Sequence, residues 1–582
     1  MNPNQGNTDT LVNAGLALIG VLIMLWLLVS SPAVIVNSLS YGQWHWPPSN
    51  ALFTLLTHPM DMRVVFGMNI SPLAYWVVFV LEFFVVIALG VLGLKAWAGR
   101  RGSEKQWNPH LQPGLATRRD FRALTGKEIV KAGRWLRPAH PNPAPRDVGY
   151  LLGTSRGENI WLSIEDSCML IGPARSGKGQ NFVLPTLIEA PGAVVSTSVR
   201  AENMENTLKW RRLKGPVGVF SPTGQASIPE GVQALKWSLT QGCEDPAVAM
   251  RRASALTANS AKGVENASFW ETQGQKIISP LLHAAALNGG GTRQIFEWGA
   301  SPGRAEDAIR ILQTHEGAAE GWAVTLDGSL HGSDPKTLAN IWSQVEAAIV
   351  KPLMSPALLA ALSPAEGEAL NVAEFIKAKG TLYVIDDSGG MAAAFIAALV
   401  EDFYYTASRN LANQSVGNRL DPPMLLSLDE LANIAKLPAL PDMISAGGGS
   451  GVTTLAVLQS ISQARDKWGR ETAEALWGAA TSRIILGGLT EQSDLEAVSK
   501  ITGQRTVYKT SMSDNFNGPK TRNISEHQEQ VLTPAQVRAL PLGTALLISR
   551  AIAPILLDLI PHRDRDYNPY YGLKTGKHSK HK

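Results

Sequence analysis

The clearest chemical pattern in the chain is an apolar run at 168–171 followed by the spacing G-x-x-x-x-G-K. A glycine-rich loop of this kind, placed after a strand, wraps the backbone closely around nucleotide phosphates. Lys178 supplies a positive charge for the outer phosphates, and the helix that begins near Gly177 directs its N-terminal amides at them. The sequence therefore predicts an ATP-binding loop formed by Gly172, Pro173, Ala174, Arg175, Ser176, Gly177, Lys178, Gly179 and Gln180.

A second apolar run, Met424–Leu428, ends in the carboxylates Asp429 and Glu430. A nucleotide-driven motor needs one acid to hold the water shell of Mg²⁺ and another to orient the attacking water. Asp429 fits the metal role, and Glu430 fits the catalytic role. A solvated acidic turn is the alternative, and the phosphate loop upstream argues against it.

A third apolar run ends in Gln459. In a RecA-like sheet, an amide at this place can sense the γ-phosphate and relay its loss to the substrate side. A glutamine that only caps a core strand is the alternative. The glycine-rich run 447–451, which precedes this strand, has no following lysine, so a flexible turn is favoured over a second phosphate cradle.

Alternating strands and helices must position these loops, and that alternation indicates a largely parallel sheet. A RecA-like nucleotide-binding domain is predicted over 148–244 and 369–561. The stretch 245–368 between them has helical periodicity, which predicts an inserted all-α domain. The predicted strands are Met169–Ile171, Ala193–Thr197, Val217–Phe220, Thr381–Ile385, Met424–Leu428, Thr453–Leu458, Arg483–Leu486 and Ala545–Ile548.

The bulk composition sets the wider limits. A chain of 582 residues is too long for one core, so several domains are expected. The net charge of +4 is too small to name a nucleic-acid partner by itself. The two cysteines, Cys168 and Cys243, have no metal or redox spacing, which excludes a disulfide framework and favours a cytoplasmic core.

Two long uncharged or nearly uncharged runs predict a membrane region over 11–97, with helices at about 11–36 and 73–97. Only Glu82 interrupts the second run, and we expect it to contact protein rather than lipid. Basic residues cluster after the second run, whereas the short loop 37–72 holds only Arg63. The positive-inside rule therefore places that loop outside and both the N-terminus, 1–10, and the bulk of the chain in the cytoplasm.

The remaining segments are basic. Residues 98–147 are expected to form a basic juxtamembrane linker that can contact anionic membrane lipids. Residues 562–582 are expected to form a disordered basic tail. Arg251, Arg252 and Lys262 begin the helical insert, where DNA contact and a solvated helix face explain them equally well.

These motifs carry a resemblance to a known family. The blocks GPARSGKGQNFVLPTL at 172–187, LLSLDELANIAKLPALPDMISAGGGSGVTTLAVLQSISQARDKWG at 425–469 and ATSRIILGGLTEQSDLEAVSKITGQRTV at 480–507 are similar to the TraG/TraD type of type IV secretion coupling protein. The block FWETQGQKIISPLLHAAAL at 269–287 resembles that family's helical domain. The resemblance covers roughly residues 150–560.

The resemblance implies a plasma (inner) membrane ATPase that uses ATP and Mg²⁺ and works as a homo-hexamer with its sites between subunits. Its cargo would be single-stranded DNA with attached relaxase, or effector proteins. Its partners would be relaxosome proteins and components of the secretion channel. The helical insert would face the cytoplasm and help to recognise cargo.

Three departures from the family pattern bear on mechanism. Gly179 stands where a hydroxyl usually binds magnesium, but loops reading R-S-G-K-G occur in the family. Magnesium is then expected to be held through water on Asp429, with Ser176 as a candidate helper. The strand after the loop ends in Ser198 where the family has an acid, and the turn before Gln459 has no arginine. Arg483 could serve a neighbouring subunit's site or form a structural salt bridge.

Three functions remain open from the sequence. The first is an ATP-driven translocase that delivers DNA to a secretion channel. The second is a non-pumping receptor in which ATP binding gates the docking of protein effectors, a reading that the Ser198 departure motivates. The third is a chromosome-segregation motor of the FtsK type, for which the sequence shows no DNA-reading domain after residue 561.

Overall fold

The computed structural model describes residues 5–100, 107–224, 226–260, 267–386, 390–513 and 521–571. They form two compact units, Met1–Asn108 and Pro109–Lys582. Among the sequence predictions, those concerning residues 1–4, Lys262 and the tail 572–582 lie outside the described residues.

The first unit consists of helices α1 (Gln5–Tyr41), α2 (Ala51–Thr57), α3 (Met62–Phe66) and α4 (Pro72–Arg100). Within it, Ile23–Tyr41 and Pro72–Gly93 are long and apolar enough to cross a bilayer. The Ser31 hydroxyl on α1 donates a hydrogen bond of 2.5 Å to Glu82 on α4. Glu82 therefore contacts the other long helix, as the sequence predicts.

A twelve-stranded sheet forms the centre of the second unit, in the order β2-β1-β14-β13-β10-β3-β9-β8-β4-β7-β5-β6. All eight predicted strands lie in it. A separate hairpin pairs β11 with β12. The strands are β1 (Gly149–Ser155), β2 (Glu158–Ser163), β3 (Cys168–Ile171), β4 (Val194–Ser198), β5 (Val217–Phe220), β6 (Gln233–Ala234), β7 (Thr381–Ile385), β8 (Met424–Leu428), β9 (Val452–Leu458), β10 (Ser482–Leu486), β11 (Gln504–Ser513), β12 (Thr521–Gln530), β13 (Thr544–Ser549) and β14 (Ile555–Asp558).

The sheet is mixed, but most of its strand pairs are parallel, as the sequence predicts. The strands from β10 to β6 in the spatial order run parallel to one another. The other four, β13, β14, β1 and β2, extend the sheet in antiparallel fashion. The turns at 156–157 and 550–554 are too short for a parallel crossover, so each joins antiparallel neighbours.

Helices cover the sheet and fill the sequence between β6 and β7. In the described residues 235–260 and 267–380, every regular element is helical. The helices of the second unit are α5 (Gly126–Gly133), α6 (Pro145–Val148), α7 (Leu184–Glu189), α8 (Glu202–Arg211), α9 (Pro246–Thr257), α10 (Ala267–Leu287), α11 (Thr292–Gly299), α12 (Glu306–Thr314), α13 (Trp322–His331), α14 (Pro335–Val345), α15 (Lys351–Leu353), α16 (Pro356–Ala361), α17 (Val372–Lys377), α18 (Ala393–Tyr405), α19 (Leu431–Ile434), α20 (Leu440–Ser445), α21 (Ile461–Trp468), α22 (Arg470–Ala479), α23 (Gln492–Ile501) and α24 (Pro534–Arg538).

Two predicted boundaries shift. Residues 109–147, assigned from sequence to the juxtamembrane linker, belong to the second unit, because Phe121 and Leu136 are buried in its main core. Residues 562–571, assigned to the disordered tail, are packed against the nucleotide-binding fold. The Tyr571 hydroxyl, for example, donates a 2.8 Å hydrogen bond to the carbonyl of Ile188. Both segments are basic in composition, but aromatic and aliphatic side chains between their charged residues are buried. This burial makes the segments part of the fold.

Candidate nucleotide site

The predicted site residues follow three neighbouring strands. In the sheet β3 lies beside β9, and β9 lies beside β8, all parallel. Their carboxyl ends therefore meet at one edge of the sheet, where parallel α/β folds bind ligands. The phosphate loop follows β3, Asp429 and Glu430 follow β8, and Gln459 follows β9. The backbone N–H of Gly172 donates a 3.1 Å hydrogen bond to the carbonyl of Leu458, which joins the first and third of these segments.

The phosphate loop depends on glycine at its tightest point. Gly177 has φ of +89°, in the left-handed region, and Arg175 just before it has φ of +62°. A Cβ atom on Gly177 would lie 2.6 Å from the side-chain nitrogen of Asn181. That nitrogen already donates a 2.9 Å hydrogen bond to the Gly177 carbonyl. The turn is therefore held closed by the residue four positions later.

Lys178 lies folded over the loop that precedes it. Its ammonium donates hydrogen bonds to the carbonyls of Gly172 (2.5 Å) and Pro173 (2.8 Å). Burial lowers the pKa of Lys178, and the charges of Asp429 and Glu430 oppose that shift. The loop lysine and the two predicted acids are thus electrostatically coupled. A phosphate oxygen inside the loop would compete with the two carbonyls for the ammonium protons.

Gly179 begins a π-helical turn, Gly179–Val183, that leads into α7. A Cβ atom at Gly179 would meet no atom within 4 Å. Packing therefore leaves room for the hydroxyl that usually follows the lysine. The Ser176 hydroxyl donates to the Pro173 carbonyl at 2.8 Å, so its oxygen lone pairs remain for a metal-bound water.

Asp429 and Glu430 differ in environment. Burial and the charge of Glu430 together raise the pKa of Asp429 to about 6, although Lys178 opposes the shift. The backbone N–H of Glu430 donates to the Asp429 carboxylate at 3.0 Å. Glu430 itself has φ of +49°, an uncommon conformation for a residue with a side chain. Such strain is concentrated at functional sites, where the surrounding fold must hold it.

Two residues that the sequence reasoning missed hold Asp429 in place. The Thr197 hydroxyl donates a 3.1 Å hydrogen bond to the Asp429 carbonyl, and the Asn203 side chain forms a hydrogen bond that lowers the pKa of the Asp429 carboxyl. Thr197 lies on β4, which is adjacent to β8. Only the pairing of these strands shows that the two residues belong to the site.

The Gln459 segment is held mainly through its backbone. The N–H of Gln459 donates to the side chain of Gln463 at 3.0 Å. The N-terminus of α21, just after it, is held by the fully buried carboxylate of Asp494, which accepts from the N–H of Ile461 (2.7 Å) and of Ser462 (3.2 Å). Asp494 comes from α23, so its role could not be read from the motif alone. A displacement of this segment would break charge-assisted hydrogen bonds.

The C-terminal segment contacts the π-helical turn that follows the phosphate loop. The Arg565 guanidinium forms a 2.7 Å ion pair with Glu189, and both side chains are nearly inaccessible to solvent. The same group donates to the carbonyl of Asn181 at 3.3 Å, within the π-helical turn. Arg565 therefore braces the turn that follows the phosphate loop.

The Ser198 departure lies beside the site. The hydroxyl of Ser198 donates to the carbonyl of Arg200 at 2.5 Å, so this strand end closes on its own backbone. The Gln180 amide lies 3.5 Å from the carboxylate of Glu202. The Arg483 guanidinium donates to the carbonyls of Trp477 (2.6 Å) and Gly478 (2.9 Å) rather than to an acid among the described residues, so the salt-bridge alternative is not what the structure shows. Its role at a neighbouring subunit's site stays a prediction.

The glycine-rich run 447–451 is not part of this site. It precedes β9, whereas the phosphate loop follows the parallel strand β3, so the two turns lie at opposite ends of neighbouring strands. Gly447 and Gly448 are buried, and a Cβ atom on Gly448 would overlap the carbonyl oxygen of Glu165. The run is a packed turn and forms no phosphate cradle, as the sequence predicts. The sequence also predicts that the turn is flexible, but its buried glycines do not indicate flexibility.

Two protein families match the chain. The family described as "Type IV secretory system Conjugative DNA transfer" matches residues 133–294. The family described as "TraM recognition site of TraD and TraG" matches residues 423–542. These ranges include the phosphate loop, the acid pair and Gln459.

Curated relatives agree with these matches. Protein VirD4 of Rhizobium radiobacter is 21% identical over 393 residues, which cover 67% of this chain and 56% of VirD4. Conjugal transfer protein TraG of the same species is 22% identical over 373 residues, covering 62% of this chain and 56% of TraG. The chain therefore spans a little over half the length of the curated relatives it matches.

Solved structures show the same fold. The bacterial conjugative coupling protein TrwBdeltaN70, in an unbound form, has a TM-score of 0.51 at 18% identity and covers 75% of this chain and 91% of its own. TrwB in complex with the non-hydrolysable GTP analogue GDPNP has a TM-score of 0.52 at 16% identity, with coverage of 75% and 92%. The chain has a TrwB-like α/β fold with a large mixed sheet.

Proposed function

The chain belongs to the coupling proteins of type IV secretion systems, and from that premise we propose that it is an ATP hydrolase that recruits single-stranded DNA with its relaxase and delivers it to the membrane channel. The observation that carries the proposal is the meeting of Lys178, the pair Asp429–Glu430 and Gln459 at one edge of the sheet. TrwB, which has the same fold, was solved in complex with a GTP analogue, and this supports a nucleotide-binding role.

In the proposed mechanism, Lys178 exchanges its loop carbonyls for phosphate oxygens and neutralises the charge that develops on the transferred group. Glu430, outside the phosphate loop and beside Asp429, orients the attacking water. Gln459 responds to the loss of the γ-phosphate. Because its backbone is tied to α21, that response passes to the helix that Asp494 holds.

The residues present fit a magnesium ion held mainly by water and phosphate. When bound, magnesium neutralises phosphate charge. Among the described residues no group of three or more His, Cys, Asp or Glu side chains could hold a metal by itself. Magnesium commonly keeps several waters and uses one or two carboxylates with substrate phosphates, and Asp429 supplies such a carboxylate.

The family resemblance also supports a proposal for the wider assembly. The two apolar helices anchor the chain in the inner membrane, with most of it in the cytoplasm. Six copies form a ring, and each site is completed by a neighbour. The helical stretch 245–368 acts as an inserted all-α domain that contacts cargo, and relaxosome and channel proteins are the partners. Residues 1–10 lie in the cytoplasm.

The test is ATP hydrolysis by the full chain in lipid nanodiscs, with and without single-stranded DNA. We expect DNA to stimulate hydrolysis several-fold. Glu430→Gln should reduce hydrolysis by about 10²-fold or more while ATP binding persists. The exposed residue Glu471 provides a matched control, because Glu471→Gln removes a charge from a helix surface outside the motif residues. Hydrolysis that responds neither to DNA nor to Glu430→Gln would overturn the proposal.

A non-pumping, ATP-gated receptor for protein effectors is the second candidate, favoured by the closed strand end at Ser198. The two candidates differ in what hydrolysis does. A translocase needs turnover for transfer, whereas a gate needs only binding. If Glu430→Gln cells still transfer cargo, the receptor is correct; if transfer stops while cargo binding persists, the translocase is correct.

A further inference from the structure

The segment between the two long N-terminal helices, residues 42–71, is folded rather than extended. Its helices α2 and α3 pack onto α1 and α4 and share one buried apolar cluster with them. That cluster contains Val29, Ala33, Val36, Ala51, Leu55, Met62, Val65, Phe66, Met68, Ile70 and Tyr75. We call residues 42–71 the interspan segment.

The interspan segment folds back along α1. Trp46 stacks on Trp26 with ring centroids 6.1 Å apart. Trp26 lies fifteen residues before Tyr41, the last residue of α1, which corresponds to about 22 Å along a helix. Both ends of that stretch belong to the apolar run Ile23–Tyr41. The segment therefore lies beside apolar helix instead of projecting beyond its end.

The interspan segment exposes several large apolar side chains. Helix α2 buries Ala51 and Leu55 yet exposes Phe53 and Leu56, with 69% and 79% of their surfaces accessible. Helix α2 therefore presents large apolar side chains on its outer face as well as on its packed face. Within 42–71 the only Asp, Glu, Lys or Arg residues are Asp61 and Arg63.

Side chains satisfy backbone carbonyls that lie outside helices in and around the segment. Asn37 donates to the carbonyl of Gln43 at 2.8 Å, Tyr41 to that of Asn69 at 3.0 Å, and Trp76 to that of Pro59 at 3.1 Å. Irregular backbone is tolerated in an apolar medium only when its polar groups find partners within the protein. These three bonds supply such partners.

We propose that the interspan segment lies within the outer leaflet of the membrane, with Phe53 and Leu56 among lipid acyl chains. Leu39, near the end of α1, and Leu73, near the start of α4, flank the segment in the sequence and are also exposed. Lipid is the occupant that this placement favours, because the segment lies beside a helix that is long and apolar enough to cross a bilayer and contains only two Asp, Glu, Lys or Arg residues. The inference rests on the proposed membrane insertion and is independent of ATP hydrolysis.

The experiment is cysteine labelling of the full chain in nanodiscs with a water-soluble, membrane-impermeant maleimide. Cys168 and Cys243 are buried, so background reaction is low. The variants are Phe53→Cys and Leu56→Cys, and the matched control is Leu542→Cys, an equally exposed leucine (82%) in the other unit. We expect the first two to react at least tenfold more slowly than the control in nanodiscs, and all three to react alike after denaturation in SDS.

A second measurement distinguishes lipid from protein as the partner that covers the interspan segment. A fluorescent label, attached at Leu56→Cys before reconstitution, should be quenched by spin-labelled lipid acyl chains. Labelling at the control rate, or protection without lipid quenching, would overturn the proposal; the latter outcome would assign the surface to another copy or to a channel protein. ATP hydrolysis by the same preparations reports on the motor separately.

Discussion

Two glycine-rich turns, at 172–179 and 447–451, lie at opposite ends of the neighbouring strands β3 and β9. The first is open at Gly179, where an added Cβ would touch nothing. The second is closed at Gly448, where an added Cβ would overlap the Glu165 carbonyl. Around the first turn a lysine and two acids converge; around the second, the Arg419 guanidinium donates to the carbonyl of Gly449 at 3.1 Å.

The difference shows what glycine does in each place. In the phosphate loop, glycine leaves backbone groups accessible and space open for a ligand. The charge of the loop lysine is then compensated by that ligand. In the second turn it lets two backbone segments touch, so the space is already filled by protein. Glycine content cannot separate these cases, but the presence of a lysine and the position relative to the strand can.

The largest expected effect comes from removing the charge of the open turn. Lys178→Ala should lower ATP hydrolysis by about 10²–10³-fold, because the developing phosphate charge loses its positive partner. Steady-state phosphate release by the full chain measures it. Lys127→Ala, at an exposed lysine in α5, should leave the rate unchanged. Equal rates for the two variants would mean that the open turn binds no phosphate.

In the closed turn, adding one methyl group should matter most. Gly448→Ala should destabilise the second unit by about 3 kcal/mol, since its Cβ would overlap backbone that cannot move freely. Gly449→Ala, where nothing lies within 4 Å, should have little effect. Thermal unfolding of both variants measures the contrast. Similar melting temperatures would show that the second turn is as adaptable as the first.

The helix packed behind the closed turn predicts a pH dependence. Glu401 on α18 is buried and accepts a 2.7 Å hydrogen bond from the N–H of Ala439, while burial raises the pKa of Glu401 to about 7. The folded state therefore binds this proton more tightly than the unfolded state. The resulting stability is fully present below the unfolded pKa, 4.5, and is lost as pH rises through about 7.

Glu401→Gln keeps the acceptor oxygen but carries no titratable group. Titration of Glu401 should lower the free energy of unfolding of the native chain by up to about 3 kcal/mol as pH rises, and the variant should not show this decrease. The melting temperature of the variant should exceed that of the native chain at pH 8 more than at pH 5. Glu471→Gln on an exposed helix face is the control. An identical pH profile in native chain and variant would mean that Glu401 does not titrate in this range.

The smallest effect is expected where the open turn has spare room. Gly179→Ser restores the hydroxyl that the loop lacks and should lower the magnesium concentration for half-maximal hydrolysis several-fold, because an ion gains a direct ligand. Gly177→Ser is the contrasting variant, since its side chain would meet Asn181 in a left-handed conformation. An unchanged magnesium requirement in Gly179→Ser would mean that Asp429 and water already meet it.

Much of the site could be predicted because it lies in the parallel half of the sheet. Strands β3, β8 and β9 are buried on both faces, so they appear in the sequence as largely apolar runs with the functional residues immediately after them. The sequence did not identify Thr197, Asn203 and Asp494, because their roles depend on which strands and helices become neighbours.

The antiparallel strands were harder to predict from the sequence. Gly149 and Gly153 make β1 resemble a turn region, although Gly153 is needed because a Cβ there would meet the carbonyl of Asp558 at 2.5 Å. Strands β11 and β12 are ten residues each, largely polar, and pair with one another. Polar hairpins lack the apolar pattern on which strand prediction depends.

The Arg565–Glu189 ion pair has a practical consequence for tagging and trimming this protein. Removing everything after residue 561 would break the buried ion pair between Arg565 and Glu189, and such losses cost about 3–5 kcal/mol. The damage would arise directly behind the phosphate loop, so a shortened protein could be mistaken for a catalytic mutant. An affinity tag or fluorescent fusion should therefore begin after Tyr571, whose hydroxyl is already bonded to the Ile188 carbonyl.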